Sequence, residues 1–231
     1  MWEIISSSLP QLLAAGFKYT IPLALISFFF GLIIALLTAL IRLAHQDGAF
    51  MILKWIAQFY VWLFRSTPLL VQLFIVFFGL PYLRIKGILP HGIKLQPFTA
   101  GIITFSLNTG AYASETIRAA ISSVPNGQWE AGEAIGMTRL QILWRIIIPQ
   151  ALQVALPPLS NSFISLVKDT SLAASITILE MFEVSQQIAA ENYQPLLMYT
   201  LVAIIYAVFT TGLSTLQHYL EKKLGSRVTI S

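Results

Sequence analysis

Glu130-Ala131-Gly132-Glu133-Ala134-Ile135-Gly136, followed by Met137 to Ile148 and then Pro149, decides how this chain is built. It is the one long segment between hydrophobic spans that carries helix chemistry of its own. Asn126 is a residue type that caps helix starts, and Glu130 and Glu133 follow close behind, where the helix dipole favours anions. Ala131, Gly132 and Ala134 leave a surface of little bulk that another protein can approach closely. Gly136 can adopt φ > 0 and end the short helix. A second helical run, Leu140 to Ile148, leads to Pro149. A small helix held out of the membrane, within a loop over about 125–149, is a handle for a soluble partner.

The composition around this loop is that of a membrane protein. Of 231 residues, 56% are hydrophobic and only 10% are charged, where a soluble domain carries about a quarter charged residues. One domain is expected, covering 1–231. The net charge of +4 is small, and the basic residues gather near span ends, which argues for membrane orientation and against nucleic acid. The chain has no cysteine, which excludes a disulfide framework, a thiolate nucleophile and a cysteine metal site. His45, His91 and His218 are too scattered in sequence to suggest a metal centre. The N-terminus has neither a basic n-region nor an A-x-A site, so no cleaved signal peptide is expected.

A bilayer-crossing helix needs about 20 apolar residues. Five stretches qualify, giving an all-α membrane protein with spans over about 17–43, 55–83, 98–121, 158–179 and 195–220. The second contains Arg65-Ser66-Thr67-Pro68, and Pro68 predicts a kink there. The fourth is expected to be entered through Pro157-Pro158. Basic residues orient the spans. Arg42 and Lys54 follow the first, Arg118, Arg139 and Arg145 flank the 125–149 loop, and Lys222, Lys223 and Arg227 lie in the tail. The opposite side has Arg84, Lys86 and Lys94 in one loop, and only Glu180, Glu183 and Glu191 in the other. The positive-inside rule then predicts an outside N-terminus, with the 125–149 loop and the C-terminus in the cytoplasm.

Polar residues within spans mark paired or functional sites. Asn161, Ser165 and Asp169 share a face of span four by i, i+4 spacing, with Lys168 beside it and Thr170 and Ser171 following. A cation and an anion at mid-depth complement a zwitterionic amino acid, so this stripe is a candidate substrate path; the alternative is that Lys168 and Asp169 fix helix packing or move as a gate. Thr104, Asn108, Tyr112, Glu115 and Arg118 form a second stripe on span three. Asn108 is its path candidate, while Glu115 and Arg118 can pair at i, i+3 and serve packing. The break at Thr67-Pro68 either lines a cavity with freed backbone groups or only bends the helix. No phosphate-binding G-x-x-x-x-G-K-[ST] loop, nucleophile elbow or H-E-x-x-H occurs, so the chain itself is not expected to be an enzyme.

The loop resembles the EAA loop of permease subunits of bacterial ABC importers. Glu130, Ala131 and Gly136 match it, and Gly132 stands where alanine is usual. Phe64-Arg65-Ser66-Thr67-Pro68-Leu69-Leu70-Val71-Gln72, Ser106 to Glu115, Ile121 to Glu130 and Ala155 to Ala173 extend the resemblance over most of the chain to permeases for histidine, glutamine, arginine and cystine. The last of these runs is similar to the L-cystine branch in particular. The resemblance implies a type I importer fold with a cytoplasmic coupling helix and a bacterial plasma-membrane location. It also implies a second permease copy or homologue, a cytoplasmic ABC ATPase dimer carrying ATP and magnesium, an extracytoplasmic solute-binding protein and an amino acid substrate. No cofactor is implied for this chain itself. Glu130, Ala131, Gly132, Ala134 and Gly136 would carry ATPase coupling; Thr67, Asn108, Asn161, Ser165, Lys168, Asp169 and Ser171 would line the path. Two other classes compete. A membrane anchor could recruit a partner through the same loop without transport, but it would need no charges at mid-depth. An ion-coupled transporter would show paired halves, which are not evident in five spans.

Overall fold

Prolines punctuate the helices and shape their geometry. The computed structural model describes residues 2–43, 49–83 and 92–225; His45, Arg84, Lys86, His91 and Arg227 lie outside the described residues. From the N-terminus, α1 (Trp2–Ala15) runs through a π-helical turn (Gly16–Thr20) into α2 (Ile21–Leu43). Pro22 stands two residues past that turn. The same order recurs at Pro81, after the π turn Ile75–Gly79, and at Pro149, after Leu143–Ile147. A proline removes a backbone donor and crowds the carbonyl four residues before it. A wide π turn just upstream accommodates both effects without breaking the helix.

The long helices therefore ignore boundaries that hydropathy suggests. The helical stretch that carries span one begins at Trp2, ahead of Phe17, and runs 42 residues to Leu43. Pro10 and Lys18 lower the local hydropathy but do not stop the helix. The helix that carries span four likewise does not begin at Pro157-Pro158. Instead α7 (Arg139–Ile142), the π turn Leu143–Ile147, α8 (Ile148–Asp169) and a 3-10 turn (Thr170–Ile176) run on as one 38-residue stretch with both prolines inside.

Span two is more than kinked. Its halves, α3 (Ala49–Ser66) and the run that starts with α4 (Leu69–Phe74), are bent by 111° at Thr67-Pro68. Among the described residues, three helices are long and apolar enough to cross a membrane, and the bent pair, taken as one span, makes a fourth. The third expected span, 98–121, falls within α5 (Pro97–Ser122), which is 26 residues long, or about 39 Å at 1.5 Å per residue. Its hydroxyl residues Thr104, Ser106, Thr109 and Ser114 are buried by neighbouring helices. Close approach of α2 and α5 depends on glycine: a Cβ at Gly31 would lie 2.9 Å from Thr109, and one at Gly110 would lie 2.8 Å from Ile34.

Residues 180–194, expected as a plain loop, contain α9 (Met181–Asn192). Glu180 starts it. Its carboxylate accepts from the N–H groups of Phe182 (2.9 Å) and Glu183 (2.8 Å) and from the Tyr206 hydroxyl (2.6 Å). Met181, Ile188 and Ala189 of α9 pack with Leu12 of α1 and with Met198 and Val202 of α10 (Pro195–Gly225).

Candidate functional site: a helix-break cleft and a protruding helix pair

The 111° break leaves carbonyls without helical partners, and one side chain gathers them. Pro68 is extended, with ψ 137°. Gln72, buried one turn later, places Nε2 2.9 Å from Phe64 O, 3.0 Å from Thr67 O and 2.9 Å from Thr67 Oγ1. Thr67 Oγ1 donates to Leu63 O at 2.8 Å. Asn108 of α5 donates through Nδ2 to Gln72 Oε1 at 2.9 Å. The broken helix is thus pinned to α5 by side-chain amides. Gln72 was not singled out from sequence. Its signal is an amide in the otherwise apolar Leu69–Phe74 run, one helical turn after a proline.

A cleft of about 490 Å³ opens beside this break. It is lined by Thr67 and Asn108 from the pinned region, Tyr112 from α5, and Asn161, Ser165 and Asp169 from α8. The structure therefore brings together five of the seven residues proposed for a path. Lys168 instead lines a groove with Thr210, Ser214 and His218 of α10; adjacent helical residues point about 100° apart, so Lys168 and Asp169 face different sides of α8. Ser171 lies in the 3-10 turn and lines neither. Because the Asn108 amide nitrogen is committed to Gln72, what it retains for a ligand is its carbonyl oxygen. With the Asp169 carboxylate and the Thr67 oxygen, the cleft is rich in acceptors and suits an ammonium group.

The 125–149 loop folds as two short helices set back to back. α6 (Asn126–Ala134) does not use Asn126 as its cap. Pro125 holds that position with ψ 139°, its ring fixing φ, and Asn126 is already helical. Gly136, at φ +79°, ends the helix. Met137 N–H reaches Gly132 O and Gly136 N–H reaches Glu133 O, both at 3.0 Å, which is a Schellman stop. Thr138 at once starts α7: its Oγ1 accepts from Gln141 N–H at 3.3 Å, and its own N–H donates to Gln141 Oε1 at 2.9 Å. Glu133 and Arg139 bridge the turn at 3.5 Å.

This arrangement divides the small residues. Glu130, Ala131 and Ala134 are exposed, beside Ile135 (76% exposed) and Leu140 (65%). Gly132 is buried, and a Cβ there would lie 2.6 Å from Ile142 Cγ1. Its lack of bulk admits Ile142 of this chain, so the sequence-based expectation of an open surface at Gly132 gives way to internal packing.

Known proteins resemble this chain in sequence and in fold. Residues 48–226 match the family described as "binding-protein-dependent transport system inner membrane component". The L-cystine transport system permease protein TcyB of Bacillus subtilis is 48% identical over 98% of this chain and 92% of its own. A putative glutamine transport system permease protein of Rickettsia bellii is 35% identical over 97% and 99%. Among solved structures, an amino acid ABC transporter with histidines superposes with TM-score 0.78 at 31% identity, covering 88% of this chain and 90% of that one. The MetNI methionine transporter, at 21% identity and TM-score 0.73, shares the fold. The chain belongs to the binding-protein-dependent transport system inner membrane components and is a multi-pass permease of an amino acid ABC importer.

Proposed function

We propose that this permease imports L-cystine across the bacterial plasma membrane, with its N-terminus outside and its C-terminus and the α6–α7 pair in the cytoplasm. A second copy or homologue completes the path. A cytoplasmic ATPase dimer binds ATP and magnesium, and an extracytoplasmic solute-binding protein delivers the amino acid; the chain needs no cofactor of its own. The observation that carries the coupling is the continuity of residues 139–176, which joins the protruding helices at one end to Asp169 in the cleft at the other. The L-cystine relative at 48% identity supports the choice of cargo. Asp169, Asn108 and Thr67 receive the substrate ammonium, while Asn161 and Ser165 supply donors. Exposed Glu130, Ala131 and Ala134 meet the ATPase. Closure of the ATPase dimer on ATP selects one of two positions of this element, because ATP stabilises that position more than the other.

ATP hydrolysis by the permease reconstituted with its ATPase and binding protein, scanned over amino acids, tests this. Stimulation by L-cystine above glutamine, arginine and histidine is expected. A different best substrate would discard cystine and keep the importer; no stimulation in an assembled complex would favour an anchor subunit. Coupling is tested separately by Gly136→Val. A β-branched residue at φ +79° is strained by roughly 1–2 kcal/mol or more. Uptake should fall at least tenfold while membrane insertion is retained, and normal uptake would sink the docking role.

A further inference from the structure

A second pocket adjoins the cleft, and the two share Tyr112. It has a volume of about 410 Å³ and is lined by Arg42, Gln58, Trp62, Arg65 and Glu115 beside that tyrosine. Its charge is unbalanced. Glu115 Oε1 takes Arg42 Nη1 and lies 3.9 Å from Arg65 Nη1, while Oε2 takes Arg118 Nη2 at 2.9 Å. Three guanidiniums around one carboxylate leave a surplus of two positive charges. Arg42 Nε is buried and has no hydrogen-bond partner among the described residues. A buried donor left in this way carries a desolvation cost, and an oxyanion is what a guanidinium fork satisfies best. Arg65 is held in place by Tyr112: its Cζ lies 5.5 Å from the ring centroid, and the Tyr112 hydroxyl donates to Arg65 O at 3.4 Å.

The cleft has the opposite shortage. It offers the Asp169 carboxylate and neutral polar groups but no lysine or arginine, and the groove holding Lys168 shares no lining residue with it. A zwitterionic amino acid therefore meets a charge partner for its ammonium in the cleft, and one for its carboxylate in the pocket on the other side of Tyr112. We propose that Arg42, Arg65 and Tyr112 form a carboxylate station for the transported amino acid. This rests on the cleft being the transport path.

The test measures equilibrium binding of L-cystine and of its dimethyl ester to the permease–ATPase complex without the binding protein. The wild type should prefer the free acid at least tenfold. Arg65→Gln should reduce that preference below twofold and leave ester binding within twofold of wild type, and Arg65→Lys should keep part of it. A wild type with no acid preference, or an Arg65→Gln complex that retains it, overturns the station. A second arm compares anionic phospholipid retained by wild type and Arg65→Gln. If Arg65→Gln loses lipid and keeps the acid preference, the oxyanion is a lipid headgroup and the station is overturned. The cleft is read out independently: Asp169→Asn should weaken both probes alike, and unchanged binding of both would reject the path itself whatever Arg65 does.

Discussion

Gly132 and Glu180 show how single positions are tied to packing and to pH. An alanine at 132 would bring its Cβ to 2.6 Å from Ile142, and overpacking of that kind costs about 1–3 kcal/mol. Gly132→Ala should lower substrate-stimulated ATP hydrolysis severalfold, and adding Ile142→Ala should restore at least half of it. A double variant as poor as the single would place Gly132 against the ATPase instead. Glu180 lies just beyond the end of its span at Ile176. Burial pushes its carboxyl up from 4.5 to about 7, against hydrogen bonds from Phe182, Tyr206 and Glu183 that favour the charged form. The folded state therefore holds the proton more tightly than the unfolded chain. The stabilisation is complete below pH about 4.5 and is lost as pH rises through about 7, up to roughly 3 kcal/mol. Thermal unfolding of the purified protein should show a falling melting temperature over that window, and Glu180→Gln should flatten it. An equally steep fall in the variant would assign the pH response to other groups.

At the scale of elements, the π turn before Pro149 sets how α6 and α7 are rotated relative to α8. With proline removed, the wide turn can relax to α-helix, and the loss of one residue from the turn rotates the upstream helices by about 100°. Pro149→Ala should leave thermal stability equal or higher, since an interior proline disfavours helix, yet reduce coupled uptake at least tenfold. Retained uptake would mean that the register of α7 on α8 is not part of coupling. The helix content, the break at Pro68 and the stop at Gly136 were legible because apolar length and proline or glycine chemistry act locally. The starts of the helices that carry spans one and four were not, because Pro10 and Pro157-Pro158 sit in helices that neighbours and π turns sustain. α9 was missed because its buried face has only Met181, Ser185, Ile188 and Ala189, too short a stripe to show as periodicity. In the cleft, i, i+4 spacing placed Asn161, Ser165 and Asp169 together. The departure of Lys168 to the α10 side depends on how α8 is rotated in the bundle, which spacing within one helix does not encode.

For the whole molecule, the absence of native cysteine makes topology directly measurable. Gln187 and Ser122, both exposed, lie at opposite ends of the bundle in the proposed orientation. In intact cells a membrane-impermeant maleimide should label Gln187→Cys and spare Ser122→Cys until the cells are opened; the reverse pattern would invert the protein in the membrane. The continuous stretch Arg139–Ile176 has a mechanical consequence for that topology. At 38 residues it is about 57 Å long, and Pro157 and Pro158 are its two central residues. If this stretch tilts as one body about its proline pair, a tilt of about 5° swings each end by about 2.5 Å in opposite senses, and a push on the Arg139 arm would be returned, reversed in direction, on the side of Asp169.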